Sequence, residues 1–477
     1  MLSKDRQWLA KLGEGLNCEF DYIADIEGKL PSTVEGTLYR NGPGLFERNG
    51  FKKWTVLDGD GMIRATTFVD GKARFRNRFV RTQKFEAEEK AGRFLYPTWT
   101  TPAPSFFDNI PCVPAFSQAG ITPVVKYGTL YAFDEVGNPY ALNPQTLDTR
   151  GEIEPYEGEN GPSSYKAHSK TDGTTGNWVL VGSSGRTRSL LHVLVMDSQG
   201  CRVAHATMPI QRRSYYHDFF WTGRHVVIHL QPATLSPIPL LLGARTFADS
   251  LEWRPGDGSL VQVVEPASGR SVIFEVPASW VWHNLNAYTL NDTIVADFVG
   301  YDEPDHFLGP EAPLRAIMQG REGIASAPGT LRRFVIELAA KRARVETIAD
   351  GNFEFPIVHH ARVGQRHRYG YFASGAEEPW FHNGVARVDT ETGAVTDFHF
   401  DARHYVGEPV FVPDPAAACD AHAPDERGWL ICEVLDGLIG KSFLAVFDAA
   451  QLSDGPVAKV RFRHHLPLSF HGCWVAA

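Results

Sequence analysis

The sequence predicts an all-β chain, a seven-bladed β-propeller in one closed domain over 1–477. Three observations carry this. Short β-forming runs recur along the chain, helical periodicity over 12 or more residues is nearly absent, and one hairpin-like pattern returns at roughly 50 to 60 residues.

A short helix is expected first, in an N-terminal helical extension over 1–20. Ser3 reads as its N-cap, Asp5 sits in its first turn, and Gly13 follows Leu12 as a stop. Strands then dominate, with alternating or fully apolar runs at 128–133, 177–182, 225–230, 292–299 and 442–447. An apolar strand, a short polar turn and a second strand of mixed polarity repeat at 140–154, 192–206, 333–348, 386–400 and 444–462. Their turn residues Asn143, Asp197, Glu337, Asp389 and Asp448 are 54, 140, 52 and 59 positions apart, and 477 residues at that pitch leave room for about seven blades and long connections. A large β-sandwich is the alternative, because hairpin turns look alike in any antiparallel protein.

With 43% hydrophobic and 22% charged residues, the chain has the composition of a folded globular protein. Its net charge is −9 and its basic residues are scattered, so no nucleic-acid partner is expected. The six cysteines form no C-x-x-C, which argues for free thiols in a reducing compartment rather than a disulfide framework or a thiolate zinc site. Charges at Lys4, Asp5, Arg6 and Lys11 replace the apolar core of a secretory signal, giving a cytoplasmic expectation. No run reaches the roughly 20 apolar residues of a membrane span, although 232–243 is strongly apolar and proline-rich.

RNGPG at 40–44 and LDGDGM at 57–62 read as tight turns needing positive φ, and neither fits a phosphate-binding loop. Asp58 and Asp60 lack the later glutamate of a calcium loop. No G-x-S-x-G supports nucleophilic hydrolysis.

Four of the eighteen histidines stand out. His168 lies in SSYKAHSK, His217 in SYYHDFFW, His283 in SWVWHNLNAY and His471 in PLSFHGCW. A neutral imidazole among aromatics still needs a partner for each ring nitrogen, and a metal is one such partner. Singly, each is better read as a satisfied core histidine. Separations of 49, 66 and 188 residues acquire meaning only if each histidine comes from the inner strand of a different blade. Imidazole suits iron, zinc, copper and nickel, so the ligands alone leave the metal open. Glu135, Glu354 and Glu408 stand in apolar or turn-rich settings. They are either carboxylates satisfied by backbone N–H or arginine, or outer partners of the imidazoles.

The chain resembles the carotenoid cleavage oxygenase family, most closely its bacterial apocarotenoid oxygenases that form retinal-type aldehydes. The resemblance rests on EGTLYRNGPG (35–44), LDGDGM (57–62), FVRTQ (79–83), AHSK around His168, HDF around His217, FEFPIVH (353–359), GEPVFVP (407–413) and HHLPLSFHGCW (464–474). It implies a seven-bladed propeller with a cap of loops and short helices over an axial metal site. One Fe(2+) per chain would be held there by His168, His217, His283 and His471. Glu135, Glu354 and Glu408 match the family's glutamates that each orient one imidazole, leaving His168 without one.

The activity it implies is addition of O₂ across one double bond of an elongated, apolar, conjugated substrate, giving two carbonyl products. Phe219, Phe220, Trp282 and Phe470 are expected as walls of the substrate tunnel, and 232–243 as a peripheral membrane contact. Lignostilbene-cleaving members carry a substrate-binding lysine directly before the first glutamate. That position is Asp134 here. A stilbene or phenylpropene oxygenase is therefore the second expectation, and a non-cleaving isomerase or metal-binding propeller the alternative of another class.

Overall fold

A computed structural model of the protein describes residues 5–109, 116–155, 161–184, 189–376, 379–415 and 425–477. Antiparallel sheets dominate it, set in a β-propeller arrangement. Among the described residues, five four-stranded antiparallel sheets follow one another along the chain, with inner strands Thr122–Lys126, Ser164–Thr171, Phe220–Trp221, Asn284–Leu290 and Phe353–Ile357 at one edge of each.

These five blades replace the seven separate ones expected, because the remaining strands join into one nine-stranded sheet. Asp21–Gly28 pairs with Ala458–Arg461 on one side and Lys72–Phe79 on the other. An N-terminal strand thus stitches together strands from both ends of the chain. His404–Pro413 and Gly472–Ala476 form the two edges of that sheet.

All five expected strand runs are present, as Thr129–Phe133, Trp178–Ser184, Val226–Leu230, Thr293–Gly300 and Lys441–Asp448. Four of the five repeated patterns are the outer hairpins of their sheets and the fifth, 444–462, lies inside the nine-stranded sheet; the side chains of Asn143, Asp197, Asp389 and Asp448 accept backbone N–H groups inside the turns. The gap of 140 residues conceals a further hairpin, Ser259–Glu265 with Arg270–Val276. Apolar residues fill the spaces between neighbouring sheets, as where Phe220 and Val261 meet Phe298 and Phe334.

The N-terminal helix is a 3-10 helix, Gln7–Gly13, with no side-chain cap. Ser3 lies outside the described residues, and Gly13 is the last helical residue rather than the stop. Leu9 and Leu12 of this helix join Trp280, Trp282, Tyr301, Leu314 and Ile317 in a cap cluster over one end of the sheets.

The glycine motifs are not turns of positive φ. RNGPG lies inside the strand Gly36–Leu45, and its glycines permit close approach instead. A Cβ on Gly42 would sit 2.6 Å from the Ser469 Cα, and one on Gly61 2.4 Å from the Ala119 carbonyl oxygen. Asp58 accepts hydrogen bonds from Thr100 and Thr101. Asp60 pairs with the buried Lys84 at 2.7 Å. Both carboxylates are engaged within the protein. Cys18, Cys201, Cys432 and Cys473 are free thiols, while Cys112 and Cys419 lie outside the described residues.

Candidate metal centre

His168, His217, His283 and His471 meet where the inner strands of four different sheets converge. His168 lies on Ser164–Thr171, His217 three residues before Phe220–Trp221, and His283 and His471 directly before Asn284–Leu290 and Gly472–Ala476. Strand register breaks beside several of these positions, between Tyr165 and Ser169, Asn284 and Asn286, Glu354 and Ile357, and Val406 and Pro409. A bulge frees a residue from the ladder and re-aims its side chain. The breaks fall where His168, Glu354 and Glu408 turn toward the centre.

All four histidines are buried, and their donor atoms lie within 4.8 Å of one another. Nε2 of His168 is 3.0 Å from Nε2 of His217. Three Nδ1 atoms face carboxylates: His217 to Glu135 at 2.6 Å, His283 to Glu354 at 2.6 Å and His471 to Glu408 at 2.8 Å. A carboxylate on Nδ1 selects the tautomer with its proton there, so the Nε2 lone pair turns inward. Buried His283 Nε2 has no hydrogen-bond partner. Four converging imidazoles, three of them with the outer nitrogen held by a carboxylate, fit a transition-metal cation.

Charges around the cluster are paired. Lys166 lies 3.0 Å from Glu135, Arg40 lies 3.8 Å from Glu408, and Lys170 lies 2.8 Å from Asp218. Burial followed by the neighbouring imidazoles holds His168 and His471 well below the usual histidine range. Burial opposes ionisation of Glu135 and Glu354. Lys166 and His217 override it for Glu135, and His283 for Glu354, so both titrate below the usual carboxylate range. Burial prevails at Glu408, which is pushed up to about 7 against the pull of Arg40.

His168 has no glutamate. Its nearest carboxylate is Asp218, at 3.9 Å, and Asp218 instead accepts from the backbone N–H of Phe219 and Asn284. It thereby ties together the segments that carry His217 and His283. Asp218 escaped sequence reasoning, and its only signal was adjacency to His217. Arg40 was equally hidden in a glycine motif. Its guanidinium donates to Ser469 Oγ and to the carbonyls of Glu408 and Phe470, fixing the chain around His471.

One side of the cluster opens into a narrow apolar chamber of about 70 Å³, walled by Leu57, Trp99, Tyr215, Trp282, Phe355 and Phe470. Trp282 is fixed by its indole N–H, which donates to His306 at 2.6 Å. Phe355, another residue the sequence did not mark, has a left-handed backbone (φ 52°), and its ring stacks 5.2 Å from His283. A non-glycine residue held there is strained, a feature that concentrates at functional sites.

Trp99 and Tyr215 also border a wider cavity of about 380 Å³ that runs beneath Leu240, Gly243 and Phe247. Trp282 and Phe470 line the narrow chamber beside the histidines. Phe219 and Phe220 border a more polar cavity of about 290 Å³ that reaches His168, His283 and His471 from beside Lys170 and Asp218.

Asp134 is directed away from the chamber. Its carboxylate accepts backbone N–H groups of Gln118 at 2.6 Å, Ala119 at 3.2 Å and Glu135 at 2.7 Å. Burial raises it to about 6 against those donors.

The family model described as RPE65, retinal pigment epithelial membrane protein, matches residues 16–476. The apocarotenoid-15,15'-oxygenase of Synechocystis sp. is 30% identical over 471 residues, covering 96% of this chain and 94% of that protein. The isoeugenol monooxygenase of Pseudomonas nitroreducens is 27% identical over 474 residues, covering 94% of each. A solved structure of cobalt-substituted Synechocystis ACO superposes with a TM-score of 0.90 at 27% identity, covering 99% of this chain and 98% of that one. Convergent histidines, their carboxylate partners and a match over nearly the whole length lead to one conclusion: the chain belongs to the RPE65, or carotenoid cleavage oxygenase, family.

Proposed function

We propose that the protein is a non-haem Fe(II) dioxygenase that cleaves one C=C bond of an apocarotenoid with O₂ to give two carbonyl products. The observation that carries this reading is the convergence of four buried imidazoles at the end of an apolar chamber. His168, His217, His283 and His471 would hold one iron per chain, and an iron so held supplies the redox chemistry that makes O₂ reactive. The atoms balance without an external reductant, since each alkene carbon receives one oxygen atom.

Glu135, Glu354 and Glu408 keep the protons of their partner imidazoles on Nδ1. Trp282, Phe355 and Phe470 exclude water and give a conjugated chain flat surfaces to lie against. The wider cavity beneath 237–243 serves as the way in. At its mouth, Ile238, Leu241 and Leu242 on and after the short helix Pro237–Leu241 are 69%, 55% and 61% exposed. We read this apolar patch as a peripheral membrane contact. None of the described helices is long and apolar enough to cross a membrane. The same reading takes 1–477 as one cytoplasmic domain and divides the nine-stranded sheet into two blades joined by Asp21–Gly28, making seven around the histidines.

A second reading, cleavage of a phenylpropene or stilbene, is favoured by similarity to the isoeugenol monooxygenase. Anaerobic Fe(II) reconstitution, followed by O₂ uptake and product analysis with an apocarotenal, isoeugenol and a hydroxystilbene, separates the readings. Cleavage of the apocarotenal supports the first. Cleavage confined to the phenols supports the second. Isomerisation without O₂ uptake contradicts both.

A further inference from the structure

We infer that Lys166 is a specificity-determining residue that anchors an oxygen acceptor at one end of the substrate. This rests on the oxygenase reading above and names the substrate class it takes: a conjugated alkene ending in a carbonyl, hydroxyl or phenolate oxygen.

Lys166 lies on Ser164–Thr171, two residues before His168, with its side chain 16% exposed. Nζ lies 3.0 Å from Glu135 Oε2 and 4.3 Å from the centre of the Tyr216 ring. An ammonium has three N–H donors. Glu135 takes one and the π face of Tyr216 compensates a second; the Tyr215 ring, itself a wall of the cavity, lies farther off at 5.9 Å, which leaves the third donor for the cavity of about 380 Å³ that Lys166 helps to line. Trp99 and Tyr215 border both this cavity and the chamber beside the histidines, so the two spaces meet there.

An uncharged hydrocarbon entering the cavity would strip water from the ammonium and return nothing, a penalty that an acceptor oxygen removes. Arg245, the other cation of the lining, is exposed at the outer rim next to Gly243 and Ala244. Asp134 cannot serve, because its carboxylate is spent on the backbone of Gln118, Ala119 and Glu135. The geometry therefore seats the double bond at the histidines and the oxygenated end at Lys166.

The test compares matched substrates on the reconstituted enzyme: an apocarotenal against the same polyene without its aldehyde, and 4-hydroxystilbene against stilbene. Lys166→Met and Lys166→Arg are assayed with metal content measured alongside. Lys166→Met is expected to lower the preference for the oxygenated member, as kcat/KM, by about 10- to 100-fold, chiefly through KM. Lys166→Arg is expected to restore most of it. Equal loss on both members of a pair overturns the anchor, since it shows Lys166 acting only through Glu135, and leaves the oxygenase reading standing. A wild-type enzyme that cleaves no member of either pair overturns the oxygenase reading and the anchor together.

Discussion

Glu354 Oε2 lies 2.6 Å from His283 Nδ1, at the point where the strand Phe353–Ile357 loses register with its neighbour. The bulge delivers the carboxylate and the carboxylate orients the imidazole. Glu354→Gln keeps an acceptor but removes its charge, so metal affinity should fall about 10- to 100-fold with the fold intact. Chelator competition measures this, with the exposed Glu346→Gln as the unaffected control.

Asp134 is a structural carboxylate in this chain, and Asp134→Lys should destabilise the protein rather than install a phenol site. It would leave the N–H groups of Gln118, Ala119 and Glu135 without their acceptor and add a buried cation. Each orphaned buried donor costs about 1–3 kcal/mol. Urea denaturation should show a lower midpoint. An unchanged midpoint would mean that the segment around Gln118 is held by other contacts.

Lys53 is buried above the Phe94 ring, and burial followed by the charge of Lys84 lowers it to about 8. Between that value and the ordinary 10.5, the unfolded chain binds more protons than the folded one, so stability rises with pH across this window. Below pH 8 the full penalty of roughly 3 kcal/mol applies. Lys53→Met should therefore raise Tm at pH 7 and lose its advantage by about pH 10.5. A Tm difference independent of pH would exclude the charge as its cause.

Ile238, Leu241 and Leu242 expose apolar side chains at the mouth of the wide cavity. If the patch inserts into a lipid surface, replacing all three by serine should weaken binding to phosphatidylcholine vesicles by more than about tenfold. Turnover of a soluble substrate should be unchanged. Sedimentation with vesicles measures the first and a detergent-free assay the second.

Local windows only nominated the site. His217 and His283 among aromatics and Glu408 in a turn-rich setting drew notice, but singly they fit a satisfied core equally well, and the ligand set came from the resemblance carried by motifs such as HDF, FEFPIVH and GEPVFVP. The hairpins were legible locally, since Asn143, Asp197 and Asp389 close their turns with their own side chains. Glu265 ends its strand before Pro266 without such an Asx turn, so that hairpin passed unnoticed. Side-chain direction was not legible. The bulges at Tyr165–Ser169 and Glu354–Ile357 break the two-residue alternation on which any sequence argument about facing depends. Lys166, Asp218 and Phe355 went unmarked on that account. The merging of the terminal strands into one sheet is a long-range pairing, Asp25 with Arg461, that no local window contains.

The most direct test of the four-histidine assignment is the iron content of wild type and His283→Ala after anaerobic loading with Fe(II) and desalting. One iron per chain in the wild type and none retained by the variant is the predicted result. Equal iron in the two would contradict the site.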